Sequence, residues 1–135
     1  MKAKPTKKQL RATADKLFSA SIRARGKCEA KGFSGGWLKG ARLKNPLTVK
    51  CGGALQCAHV VSRRYLSVRW DEDNAMCLCA AHHSYFTYFP LEHEQFCKLH
   101  LGAEHYEALK FRARMARGAP DYEAILERLR GEVIR

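Results

Sequence analysis

Apolar residues recur at helical spacing near the amino terminus of the chain. One face of a predicted helix is apolar, and it is formed by Leu10, Ala14, Leu17, Phe18 and Ile22. Thr6 with Gln9 three residues later is a capping-box pattern, and Gly26 is a residue type that ends helices. The sequence therefore predicts a basic helix within residues 1–27.

The middle of the chain alternates short apolar runs with turn-forming residues. Residues 55–61 follow two glycines, and residues 75–79 follow the sequence DEDN, so each run predicts a short strand. The two strands could pair as a hairpin. The aromatic segment AAHHSYFTYF comes next and predicts a short helix that Pro90 ends. The predicted order is strand, long loop, strand, helix.

Helical spacing returns after Pro90. One stretch ends at Gly102, a second covers residues 104–115, and a third starts at a predicted cap, Asp121. The apolar stripe of the third is Tyr122, Ile125, Leu126, Leu129 and Val133. The pattern predicts an α+β fold with two or three carboxy-terminal helices in residues 91–135.

Length and cysteine usage limit the class of protein. The chain has 135 residues, which is typical of a single domain, here residues 1–135. The basic start is followed by no apolar signal-peptide core, and no run of about 18 apolar residues occurs, so a secreted or membrane-inserted protein is not favoured. Six cysteines in such a chain indicate thiols and bound metal in a reducing cytoplasm over disulfides.

Positive charge is concentrated at the amino-terminal end. The formal net charge is +12, and the first 50 residues hold 14 of the 25 Lys and Arg residues but only two acidic residues, Asp15 and Glu29. Such a field attracts polyanions, and DNA is the predicted partner, although a solvated basic face is the alternative. Basic residues placed to contact DNA are Lys7, Lys8, Arg11, Lys39, Arg42, Lys44, Arg63 and Arg64.

The glycine-rich segment between Cys28 and Cys51 carries three of those basic residues. It is predicted to be irregular and to lie along a DNA groove. Its aromatic residues Phe33 and Trp37 are interpreted as packing against the domain in preference to stacking on bases.

Three polar residues occur at a characteristic spacing in the central segment. His59 lies in the first predicted strand, Asn74 lies fifteen residues further on before the second strand, and His83 follows nine residues after that, at the start of the short helix. Each residue alone is ordinary in its setting, since Asn after DED is a common turn residue. The order H-x14-N-x8-H with Cys-x2-His inside it is far more specific.

This pattern resembles the HNH endonucleases, also called the His-Me finger or ββα-metal family, and it is most similar to small phage-type members with a structural zinc. The resemblance covers residues 28–90. It implies a metal-dependent DNA endonuclease that nicks DNA and leaves 5′-phosphate and 3′-hydroxyl ends. It also implies a host cytoplasm if the chain is phage-encoded, and phage packaging or recombination proteins as partners. The chain is expected to be a monomer or a weak dimer.

Catalytic roles follow from the chemistry and from the resemblance. Phosphodiester hydrolysis needs a base for water and a cation near the phosphate. His59 can be the base, because a neutral imidazole accepts a proton near pH 7, and His83 can hold a divalent ion. The resemblance gives Asn74 the role of fixing the loop that aims the base. Arg63 and Arg64 are placed to bind phosphate.

One position departs from the family pattern. Many members carry Asp or His immediately before the base as a second metal ligand, whereas this chain has Ala58. Candidates to replace that ligand are Thr87, one helical turn after His83, and Asp71 or Asp73 in the loop. With one imidazole and mostly oxygen ligands the expected ion is Mg2+ or Mn2+, and Ni2+ or Co2+ could also serve. The histidines at 93, 100 and 105 are interpreted as ordinary surface or core residues.

The cysteines suggest a second, structural metal site. In resembling phage-type members two cysteine knuckles hold zinc, and here the second knuckle reads Cys79-x2-His82, which leaves the next histidine free. The resemblance implies a Cys3His zinc site formed by Cys28, Cys51, Cys79 and His82. The remaining cysteines, Cys57, Cys77 and Cys97, are expected to pack in the core, with Cys57 as the substitute ligand.

The alternative function comes from another class. Because Ala58 cannot coordinate a metal, the chain could be a catalytically inactive, zinc-stabilised DNA-binding module. DNA cleavage in the presence of a divalent ion distinguishes the two.

Overall fold

A computed structural model of the protein describes residues 3–33, 37–38, 41–42, 49–116 and 118–134. Within these ranges the fold is α+β, as predicted, with five α-helices and two small antiparallel sheets. In chain order the elements are α1 (Lys7–Arg23), β1 (Trp37–Leu38), β2 (Ala41–Arg42), β3 (Leu55–His59), β4 (Ala75–Cys79), α2 (Ala80–Tyr88), α3 (Pro90–Leu101), α4 (Ala103–Met115) and α5 (Tyr122–Ile134). A single 3-10 turn, Glu72–Asn74, precedes β4.

The helix ends follow the capping signals in the sequence. The Thr6 hydroxyl accepts from the backbone N–H of Gln9 at 3.1 Å, and the Gln9 side chain accepts from Thr6 N–H at 2.8 Å, which completes the predicted capping box. Pro90 is the first residue of α3, and Gly102 ends that helix with φ +88°. The Asp121 carboxylate accepts from Ala124 N–H at 3.1 Å and caps α5.

The central hairpin sets the position of the site. β3 pairs antiparallel with β4, with Leu55 opposite Cys79 and His59 opposite Ala75. α2 begins at the residue after β4, so no loop separates the second strand from the helix. The predicted first strand is longer than the observed one, because after His59 the backbone N–H of Val61 turns to the Asn74 side chain at 2.6 Å.

The glycine-rich segment is not wholly irregular. Trp37–Leu38 and Ala41–Arg42 pair as a short antiparallel hairpin, with Trp37 opposite Arg42. The prediction of an irregular segment was therefore wrong for these four residues. Phe33 packs against Phe86, with ring centroids 5.0 Å apart, as expected for a core aromatic.

Strand β4 is buried on both faces, which explains its uninterrupted apolar sequence AMCLC. Ala75 and Cys77 belong to one core cluster, and Met76 and Leu78 belong to another on the opposite face. The first cluster is completed mainly by α1 and α5, including Phe18, Ile22, Leu126 and Leu129. The basic amino-terminal helix is thus part of the core, since burying Phe18 alone stabilises the fold by about 1.5–3 kcal/mol.

None of the described helices combines the length and apolar composition needed to cross a bilayer.

Candidate functional site

Four residues predicted as metal ligands lie together in one cluster. The ligand atoms of Cys28, Cys51, Cys79 and His82 are all within 4.8 Å of one another. From His82 Nδ1 the sulfur atoms lie at 3.1 Å (Cys79), 3.5 Å (Cys28) and 3.7 Å (Cys51). Zinc bound tetrahedrally at its usual distances would separate nitrogen from sulfur by about 3.5 Å. The cluster could therefore hold a structural metal such as zinc.

The chain brings these ligands together from three segments. Cys79 ends β4 and caps α2, and its sulfur accepts from His82 N–H at 3.5 Å. The segment carrying Cys51 lies against the start of α2, where Ala81 N–H donates to Gly52 O at 3.0 Å. Gly53 permits this approach, because its φ is +79° and a Cβ there would lie 2.6 Å from the Cβ of Ala80.

The cluster favours one thiolate. Burial by itself raises the pKa of Cys79, but hydrogen bonds from the His82 and Gly52 backbone N–H groups outweigh that effect and lower the pKa to about 6. A metal ion prefers a thiolate ligand, so Cys79 is the sulfur best prepared to bind one.

The other three cysteines lie outside the cluster. Cys77 and Cys97 are buried and Cys57 is half-buried, and all three are free thiols. Burial raises the pKa of Cys97 to about 12, as for a thiol that packs in a core. Cys57 lies opposite Cys77 in the hairpin and takes no place in the cluster.

The predicted base, His59, has a defined tautomer. Its Nε2 lies 2.9 Å from the carbonyl oxygen of Arg69. A carbonyl only accepts hydrogen bonds, so Nε2 carries the proton and the neutral ring has its lone pair on Nδ1. Burial, and then the positive charges of Arg63 and Arg69, lower the pKa of His59 despite the bond to the carbonyl. The ring is therefore neutral at pH 7.

His83 is separate from the Cys3His cluster although it follows His82 directly. Its Nδ1 lies 2.7 Å from the Gln56 side-chain oxygen, so Nδ1 donates and Nε2 has the lone pair. Burial lowers the pKa of His83. A metal-binding histidine commonly has this arrangement, with one nitrogen held by a second residue and the other free.

His59 and His83 face the same surface depressions. One, of about 340 Å³, is lined by both histidines together with Asp15, Phe18 and Arg63, among others. A second, of about 140 Å³, is lined by Ala58, His59, Leu78, His83, Phe86, Thr87 and His93. The imidazole rings of His59 on β3 and His83 on α2 are thus within reach of one ligand.

Asn74 holds the loop that runs from the first strand to the second. Its side chain is 0 % exposed and donates to the carbonyl oxygens of Val61 and Val68 at 3.0 Å each. Its oxygen accepts from Val61 N–H at 2.6 Å. Because Arg69 follows Val68 directly, Asn74 helps to position the carbonyl that orients His59.

Asp15 on α1 organises the arginines near the site. It accepts from Arg69 through both carboxylate oxygens, at 2.9 and 2.6 Å, from Trp70 Nε1 at 2.9 Å, and from Arg63 at 3.1 Å. Burial by itself raises the pKa of Asp15, but the bonds from Arg69 and Trp70 and the nearby positive charges lower it overall. Arg64 stacks on the Tyr65 ring, 4.9 Å from its centroid.

The other residues predicted to contact DNA lie in different environments. Lys7 and Lys8 are exposed on α1, whereas Arg11 donates to the Tyr122 hydroxyl at 3.2 Å. Lys39 and Lys44 lie outside the described residues, and for Arg42 only the backbone is described.

The three candidates for a replacement metal ligand differ in whether they line a depression beside His83. Thr87 lines the smaller depression, but its hydroxyl donates to His83 O at 2.8 Å. Asp71 pairs with Arg112 at 2.7 Å and Asp73 with His105 at 3.2 Å, and neither lines either of the two depressions described above. His93 does line it, although the sequence interpretation treated it as an ordinary residue.

Sequence reasoning missed four residues at this site: Asp15, Gln56, Arg69 and His93. One of them carried a signal, because Asp15 is one of only two acidic residues in the strongly basic first 50. The others are unremarkable in sequence.

No family model, curated protein or solved structure matches the chain.

Proposed function

We propose that the protein is a metal-dependent DNA endonuclease of the HNH type, with β3, β4 and α2 as its ββα-metal core. One observation carries the proposal: His59 and His83 line the same depression, while His83 stays outside the Cys3His cluster. Each ring has one nitrogen hydrogen-bonded to the protein, and within the described residues the other nitrogen has no hydrogen-bond partner. These are the two functions that phosphodiester hydrolysis requires, a base and a cation site directed at one phosphate.

In this mechanism His59 Nδ1 takes a proton from a water molecule, and the resulting hydroxide attacks phosphorus. The bond to the 3′ oxygen breaks and that oxygen takes a proton from solvent water, which leaves a 5′-phosphate and a 3′-hydroxyl. His83 Nε2 would bind a divalent ion, Mg2+ or Mn2+ in the first instance, which supplies positive charge for the leaving oxygen. The neutral state of both rings suits these roles, because a protonated imidazole can neither accept a proton nor bind a metal.

The loop after β3 keeps the base in position. Asn74 fixes Val61 and Val68, and Asp15 holds the Arg69 side chain in a bidentate ion pair. The backbone before Arg69 and the side chain of Arg69 are therefore both restrained, and with them the Arg69 carbonyl that binds His59. The ring cannot turn to offer Nε2 without losing that bond.

The substrate proposal rests on charge. The first 50 residues carry the whole net charge of +12, and part of that charge lies on α1, whose Phe18 ring is 5.8 Å from His59. Arg63 is 59 % exposed in its side chain beside the depression and is available to a phosphate. Lys and Arg contacts of this kind position DNA without reading its sequence, so modest specificity is expected.

A second candidate is a catalytically inactive, metal-stabilised DNA-binding module. Ala58 favours it, because this residue precedes the base, is 3 % exposed and offers no ligand atom. The Cys3His cluster and the basic helix would serve such a module equally well.

The decisive experiment measures conversion of supercoiled plasmid to open circles with Mg2+ or Mn2+. His59→Ala should slow nicking by about 10²–10⁴-fold and leave DNA binding in a gel-shift assay unchanged. His105→Ala, which removes an exposed histidine from α4, is the control and should nick normally. Binding without cleavage by the wild-type protein across a panel of Mg2+, Mn2+, Co2+ and Ni2+ would support the inactive module instead.

A further inference from the structure

We infer that His93 is a second imidazole ligand of the divalent ion bound by His83. The inference rests on the proposed function, since it concerns the same ion. His93 lies in the first turn of α3 and reaches the site from outside the hairpin and α2.

The position of His93 matches the gap that Ala58 leaves. Ala58, His83 and His93 line one depression of about 140 Å³, so the methyl group of Ala58 leaves room where a longer side chain would intrude. The remaining described lining residues are His59, Leu78, Phe86 and Thr87. Of these only the side chains of His59 and Thr87 have atoms that could bind a metal, and both have other roles. His59 is the proposed base, and the Thr87 hydroxyl donates a hydrogen bond to His83 O.

The ring of His93 is held by contacts with α2 and α3. Its Nε2 lies 3.5 Å from Cys97 Sγ, one helical turn further along α3. A metal bound at Nδ1 would leave the proton on Nε2, where Cys97 Sγ can accept it. The ring also packs on Phe86, with centroids 5.4 Å apart, and its backbone N–H donates to Phe89 O at 3.0 Å.

Two imidazoles change the expected ion. Mg2+ prefers oxygen ligands and near-ideal octahedral geometry, whereas imidazole suits Mn2+ less strongly than Co2+ or Ni2+. A site formed by His83 and His93 should therefore bind Co2+ and Ni2+ more tightly than Mg2+. Mn2+ should lie between them.

The test measures Co2+ and Mn2+ binding to the full chain, with its tightly held metal in place, by titration calorimetry. His93→Ala should weaken binding by at least about 10- to 100-fold, because even loss of a residue that only supports a ligand has that effect. His93→Asn, which keeps a polar side chain, is a second variant in case the alanine variant unfolds. His105→Ala is the matched control and should bind as the wild-type protein does.

A readout on the wild-type protein needs no substitution. Substoichiometric Mn2+ should broaden the imidazole NMR signals of His83 and His93 together, while those of His105 stay sharp. Broadening at His83 alone, or unchanged Co2+ affinity in a folded His93 variant that still nicks plasmid, would overturn the inference and leave the nuclease proposal standing. Tight metal binding that depends on His93, without any nicking, would support the inference and contradict the nuclease proposal.

Discussion

Replacing Asn74 with alanine removes three hydrogen bonds from a fully buried position. Val61 N–H loses its acceptor, and the carbonyls of Val61 and Val68 lose a donor each. An unsatisfied buried N–H costs about 1–3 kcal/mol, and each lost carbonyl bond about 1 kcal/mol. The free energy of unfolding should therefore fall by about 3–5 kcal/mol, a large part of the roughly 5–15 kcal/mol typical of a domain.

Urea unfolding followed by tryptophan fluorescence measures this effect, because Trp70, one of the two tryptophans, is 2 % exposed in the folded protein. With a urea dependence of about 2 kcal/mol per molar, the midpoint should drop by about 1.5–2.5 M. Asp73→Ala is the neighbouring control. It removes only an exposed contact with His105, worth about 0–1 kcal/mol, and should leave the midpoint nearly unchanged.

The same substitution should affect nicking beyond its effect on folding. Under conditions where the Asn74→Ala protein is folded, a shift of the loop would displace the Arg69 carbonyl and turn His59. Displacement of about 1 Å at a reacting group costs on the order of 100-fold in rate. A midpoint within about 0.5 M of wild type, or a folded variant with full nicking activity, would refute the assigned role of Asn74.

Three further predictions concern the metal, the base and the DNA. Elemental analysis should find about one tightly bound zinc per chain, and Cys79→Ser should reduce that content to none and unfold the protein, since such sites contribute about 10–16 kcal/mol. The control, Cys57→Ser, should retain the ion. Equal zinc content in the two variants would contradict the assignment of the cluster. Nicking should fall in acid with a midpoint below 6.5, because burial lowers the pKa of His59 from that value and the ring must be neutral to accept a proton; a midpoint above 6.5 would contradict its role as base. Replacing Lys7 and Lys8 together with alanine should reduce the slope of log K against log salt by about 1.8, and an unchanged slope would place the DNA elsewhere.

Much of the fold was predictable because its signals are local. The capping box at Thr6, the proline that starts α3 and the glycine that ends it each act within one helical turn. Strand β4 was recognisable from its continuous apolar run. The less accurate predictions concern segments whose backbone conformation depends on tertiary contacts. An example is the end of β3, where the Val61 N–H donates to the Asn74 side chain.

The candidate site divides in the same way. The ligand cluster was predicted from the family resemblance, with Cys79-x2-His82 as its local motif, and the four residues do lie together. His93 had no such signal. Its relevance depends on α3 folding back so that its first turn reaches the depression shared by His59 and His83.

The sequence by itself determined the types of element, their order and the residues able to bind metal, because these depend on side-chain chemistry and on contacts a few residues apart. Only the tertiary structure decided which atoms face the site. The Arg69 carbonyl leaves the lone pair of His59 on Nδ1, and Asp15 reaches Arg69 across 54 residues of sequence. Pairs so distant in the chain become neighbours only when α1 and the hairpin bury their apolar faces against each other, and no local pattern records that packing.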